Sequence, residues 1–61
     1  MYAIRWRSKA FPGATGWYRD GDCEVETFGH HFEAVAVAAR LTRTKPEAEY
    51  TVEEYREEDE Q

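Results

Sequence analysis

Cys23, His30 and His31 are the only soft ligands in this 61-residue chain, and the only residues that could pair a strong nucleophile with a base at neutral pH. Structural zinc takes four ligands, spaced so that each pair reaches one ion. Adjacent histidines on a helix diverge by about 100°, so both ligand number and spacing miss the zinc pattern. A cysteine–histidine catalytic pair further needs a cleft, a third orienting group and an oxyanion donor. A single thin layer packed on a sheet leaves little room for a pocket of about 300 Å³ or more. Cys23 therefore reads as a small core residue beside Val25, and no metal, cofactor or catalytic residue is expected.

The carboxylates offer a second possible chemistry. Glu24, Glu26, Glu49 and Glu53 stand two and four apart, which could suggest acid–base pairs of the glycosidase kind. Alternation along strands, however, sets them on an open sheet face, where nothing shifts a carboxyl pKa. They read as solvating charges, available to a partner.

The elements that must position these residues follow from periodicity. Tyr2–Lys9 alternates, with Tyr2, Ile4 and Trp6 on one side and Ala3, Arg5, Arg7 and Lys9 on the other, the pattern of a half-buried strand. Pro12-Gly13 marks a loop. Asp20-Gly21 is a two-residue hairpin signal joining Gly16–Arg19 to a strand near Asp22–Phe28. A helix is predicted from His30 to Thr44. Its apolar arc would be Phe32, Val35, Ala38 and Ala39 with Ala34 and Leu41, and Pro46 would end it. Ala48–Tyr55 alternates again. The order β-β-β-α-β predicts an α+β domain over 1–55, a three- to four-stranded antiparallel sheet with one helix on one face. Residues 56–61 hold no apolar side chain and read as a solvated, disordered acidic tail.

Charge is distributed unevenly. Before Asp20 stand four cations (Arg5, Arg7, Lys9, Arg19) and no acid; from Asp20 on, four cations face all 13 acids. If the last strand pairs with the first, Arg5, Arg7 and Lys9 lie opposite Glu49 and Glu53 and much of the asymmetry is neutralised internally. Opposite charges across strands contribute about 0.2–1 kcal/mol per pair. Such pairing leaves Glu57, Glu58, Asp59 and Glu60 unneutralised apart from Arg56.

A net charge of −5 argues against nucleic acid as a direct ligand and favours a basic partner surface. The cations also fail to share a face with Trp6, as a stacking platform would require. No apolar leader opens the chain, and Ala34–Ala39 is far shorter than the ~18 residues of a membrane span. A cytoplasmic protein with no membrane partner is expected. Of nine aromatics, Tyr2, Trp6, Trp17, Phe32, Tyr50 and Phe28 are assigned to the core. Phe11, Tyr18 and Tyr55 are left over, and exposed aromatics of this kind anchor interfaces.

These features describe a non-enzymatic inhibitor that occludes a basic, nucleic-acid-binding surface of a larger protein or nucleoprotein complex. Glu24, Glu26, Glu49, Glu53, Glu54, Glu57, Glu58, Asp59 and Glu60 would steer it, in part by imitating nucleic-acid charge. Tyr55, Tyr18 and Phe11 would anchor it. No family motif is matched. In format alone (size, acidity, a lone cysteine, a thin α+β domain) the chain resembles the small acidic proteins that phages direct against host machinery, anti-CRISPR proteins included. The alternative is a self-associating module, a homodimer through an edge strand or the aromatic loop.

Overall fold

The computed structural model describes residues 1–19 and 24–56. It contains β1 (Tyr2–Ser8), β2 (Thr15–Trp17), β3 (Thr27–Phe28), α1 (His31–Thr44) and β4 (Ala48–Glu54). All pairing is antiparallel, in a four-stranded sheet with one helix, an α+β architecture.

β1 is the central strand. Along one edge it pairs with β4 over its whole length, from Tyr2↔Glu54 to Ser8↔Ala48. Its other edge is shared end to end. β2 takes Arg5–Arg7 and β3 takes Tyr2 and Ala3. Between Arg5 and Ala3, β1 advances two positions while the returning chain advances ten, from Trp17 to Thr27. Within that interval Arg19 and Val25 form an isolated antiparallel bridge, and the Glu26 N–H donates to the Tyr18 carbonyl at 3.1 Å.

That arrangement corrects the hairpin expected at Asp20-Gly21. A two-residue turn there would oppose Arg19 to Asp22, whereas Arg19 is opposed to Val25. The physical reason lies in β1, which is long enough to satisfy both short segments on one edge. The Tyr18 N–H, for example, donates to the Ile4 carbonyl at 2.7 Å. The turn residues and Cys23 lie outside the described residues.

β4 pairs with β1 as the alternation required, with Ala48, Tyr50 and Val52 toward the helix. Helix α1 begins after His30, which is extended at φ −123°, and its carbonyl accepts from the N–H groups of Glu33 and Ala34. It stops at Lys45, whose ψ of 72° is outside the helical region, as expected before Pro46.

The buried residues are Ala3, Ile4, Ala34, Ala38, Leu41 and Ala48. Ile4, Ala38 and Leu41 form the core cluster, with Tyr18, Phe28, Val37, Tyr50 and Val52 packed around it. The helix presents alanines to the sheet, so backbone approaches backbone closely and a few large side chains suffice to fill the layer. Phe32 was expected in this arc but is 70% exposed, as is Val35 at 44%. At about 100° per residue, Ala34, Ala38 and Leu41 span one narrow stripe, and Phe32 falls nearly opposite. Tyr18, by contrast, was expected to be spare and instead packs against the core.

This geometry separates two substitutions that the sequence pattern alone treats alike. Leu41→Ala should cost about 2–5 kcal/mol in denaturant unfolding, a large fraction of what a small domain has. Phe32→Ser should stay within about 0.5 kcal/mol in the monomer. A large loss from Phe32→Ser in dilute solution would mean that the ring packs inside the fold.

Candidate interaction surfaces

The sheet has two faces, and both carry more than the sequence suggested. On the face away from the helix, Trp17 lies directly across from Arg5. The Arg5 guanidinium sits over the Trp17 ring, 4.3 Å from its centroid. Trp17 also meets Tyr55 edge-on, with centroids 5.1 Å apart. Ala3, on the same face two residues before Arg5 and paired with Thr27 and Glu53, is completely buried. Trp17 and Tyr55 therefore build a small second cluster on a face expected to be flat and wet. Trp17 was assigned to the helix-side core and Tyr55 to the spare aromatics. Both are half-buried here, against each other.

Beside this cluster the charges pair as the strand register allows. Arg7 donates from Nη2 to Glu49 Oε1 at 3.0 Å, and Arg5 Nε approaches Glu53 Oε1 at 3.9 Å. These pairs are partly exposed and each contributes little to stability. Their larger effect is on the surface potential: Glu49 and Glu53 are matched to cations of the same face. Arg5, Arg7, Glu49 and Glu53 line a shallow hollow of about 390 Å³ with Pro12, Thr15 and Thr51.

On the helix side, α1 touches β4, β1 and β3 and leaves β2 uncovered. A cleft of about 740 Å³ opens there, larger than a single layer on a sheet was expected to leave. Its aromatic lining is Trp6, Phe11, Tyr18 and Tyr50, with Trp17 at its border. Trp6 lies so close over Gly16 that a Cβ at that position would sit 3.2 Å from the indole ring. Glycine is thus what lets the indole lie down on β2 and form the floor. The Tyr50 hydroxyl donates to the Lys45 carbonyl at 3.1 Å, tying the wall of the cleft to the end of the helix. Burial, reinforced by the nearby Glu47 carboxylate and by Tyr18, raises the Tyr50 pKa above its ordinary 10.0.

The remaining residues of interest are scattered. Phe11 stands in the loop after β1, 72% exposed at the cleft, and its N–H donates to Ser8 Oγ. Phe11 and Tyr18 therefore share one cleft, while Tyr55 sits on the other face. Glu24 is exposed, Glu26 is half-buried next to the Arg19–Val25 bridge, and Glu54 is exposed opposite Tyr2. Glu57, Glu58, Asp59 and Glu60 lie outside the described residues.

His30 stacks on Phe32 at 5.5 Å, and His31 meets Tyr2 edge-on at 5.2 Å, so the two imidazoles diverge. Among the described residues, no three of His, Cys, Asp and Glu gather as a metal would require. No helix among them is long and apolar enough to cross a membrane. The cleft and the Trp17–Tyr55 cluster escaped sequence reasoning. The available signal was the position of Trp17 opposite Arg5, which depends on a strand register that the glycine-rich loop does not specify.

Two measurements check these surfaces. A double-mutant cycle on Trp17→Ala and Tyr55→Ala should return a coupling of about 0.5–1.5 kcal/mol, and zero coupling would separate the rings. A raised tyrosine pKa means that the folded state holds the Tyr50 proton more tightly than the unfolded chain. That stability is present below pH 10 and is lost as pH rises through the folded value. Tyr50→Phe should therefore lose less stability than the wild type as pH rises above the ordinary value of 10.0.

The chain matches no protein-family model, no curated protein and no solved structure.

Proposed function

We propose that the protein is a non-enzymatic binding module that occludes a basic, nucleic-acid-handling surface of a larger complex. Charge placement carries this reading. The six acids Asp20, Asp22, Glu57, Glu58, Asp59 and Glu60 fall in the segments 20–23 and 57–61. The described residues hold the other seven of the 13 acids and all eight Lys and Arg, so the body is close to neutral and its sheet-face acids are paired. The net −5 is thus supplied by two short segments, which follow Arg19 and Arg56 directly in sequence.

Steering belongs to those segments together with Glu24, Glu26 and Glu54. Glu49 and Glu53 contribute little to it, because Arg7 and Arg5 cancel their field at short range. Anchoring belongs to the cleft, where exposed Phe11 and half-buried Tyr18 present aromatic surface beside Arg19, the residue that opens the first acidic segment. Charge would govern association, and aromatic burial would govern residence time. This division of labour suits the host-directed phage proteins that the chain resembles in format.

A pull-down from bacterial lysate, treated with nuclease and washed at low and high salt, tests the reading. A basic nucleic-acid-handling complex should be retained at low salt only. Asp20→Asn with Asp22→Asn, or a chain ending at Arg56, should weaken association and flatten its salt dependence. Glu49→Gln and Glu53→Gln should leave association almost unchanged. Phe11→Ser should speed dissociation by roughly tenfold, the 1–2 kcal/mol of an interface anchor. Salt-independent binding, or equal losses from Glu49→Gln and the tail deletion, would sink it.

A further inference from the structure

Helix α1 carries two apolar faces, and the sheet covers one of them. The outer face holds Phe32 at 70% and Val35 at 44% exposure, with Ala36 and Ala39 also exposed. A helix that is apolar on both sides normally has something packed on both sides. Phe32, Ala36, Ala39 and Arg43 lie along one line of this face, spaced four, three and four residues apart. That spacing reads the same from either end, which is what a two-fold axis crossing the helix between Ala36 and Ala39 requires.

We infer that a second copy of this chain covers the outer face, with the two α1 helices packed antiparallel. The two-fold then sets Ala36 against Ala39 at the crossing, where small side chains allow close approach. Each Phe32 ring meets the stem and guanidinium of Arg43 from the other copy, an apolar and cation–π contact together. Charge selects this partner and this direction. Glu33 and Arg40 share one flank of the helix, within about 20° of each other. In an antiparallel pair like flanks face each other, so each Glu33 meets Arg40 of the second copy. A parallel pair would instead set the flank of Glu33 and Arg40 against the other flank, that of Val35 and Thr42, and leave both charges without a partner. The helix dipoles also favour the antiparallel direction.

Pairing of two β4 edges is the less favourable route to a dimer in its centred register. Two β4 edges paired antiparallel about Thr51, the middle of the strand, would set Glu49 against Glu53 in both directions. Like charges directly opposite each other across strands destabilise the pair, a common protection of exposed edges. The outer-face residues Phe32, Val35, Ala36 and Ala39 are not among those lining the cleft, so the helix-face dimer leaves the cleft open to a different partner. It stands whether or not the occlusion reading holds.

Sedimentation equilibrium of the full chain over a concentration series tests the dimer. A reversible rise from 7.2 kDa to twice that mass is expected. Glu33→Arg and Arg40→Glu should each weaken the dimer about tenfold, since two attractive pairs become repulsive. The double variant should regain wild-type affinity, because the pairs are restored with their signs exchanged. Phe32→Ser should weaken the dimer strongly. All three side chains are exposed, so circular dichroism should show an unchanged monomer fold. A 7.2 kDa species at every concentration would overturn the inference. So would a dimer indifferent to these changes, or a double variant no better than its singles.

Discussion

The antiparallel ladder between β1 and β4 is the constraint on which the rest of this protein depends. It joins the two ends of the described chain, and Tyr55 still donates its N–H to the Met1 carbonyl beyond the last paired residue. Closing so long a loop costs chain entropy before any contact is gained. The ladder recovers that cost by placing Ile4 beside Val52 and Trp6 beside Tyr50, which creates the surface the helix needs. It also leaves a single edge of β1 for everything that lies between β1 and the helix. β2 and β3 must share that edge.

A second consequence is the thinness of the helical layer. Ala34 and Ala38 let α1 sit close to the sheet, and Ile4 and Leu41 are the large side chains among the buried residues. Burial of one such side chain is worth about 1.5–3 kcal/mol, so the core rests on few residues. A thin layer is also a short one. The helix reaches β4, β1 and β3 and stops short of β2, and the uncovered end of the sheet becomes the aromatic cleft. The same economy leaves Phe32 and Val35 on the outside. A domain this small buries a modest fraction of its surface, and apolar faces of this kind are where it gains from a neighbour.

Charge follows from the same pairing. Because β4 runs antiparallel to β1, Glu49 falls to Arg7 and Glu53 reaches Arg5. Arg5 in turn rests on Trp17, so one guanidinium serves an ion pair and an aromatic stack. The sheet face is thus close to electrically closed, and the acidic excess of the chain belongs to its segments 20–23 and 57–61.

Much of the fold was legible in the residues themselves. Period-two alternation marked Tyr2–Ser8 and Ala48–Glu54, Pro46 marked the end of the helix, and the helix after the third strand allowed the last strand to return beside the first. These are local signals, set by backbone sterics and by the side-chain period of a strand or helix. The rest needed the assembled chain. Whether Phe32 or Leu41 faced the sheet depended on where the helix axis came to lie. Similarly, whether Trp17 joined the core or the open face depended on register, and a slip of one residue exchanges the faces of a strand. The partners of Tyr18 and Val25 depended on how much edge β1 had to offer. The sequence by itself determined the elements and their charges. Tertiary structure alone decided which faces were covered, because burial is shared among segments distant in the chain and no local pattern records how far a neighbour reaches.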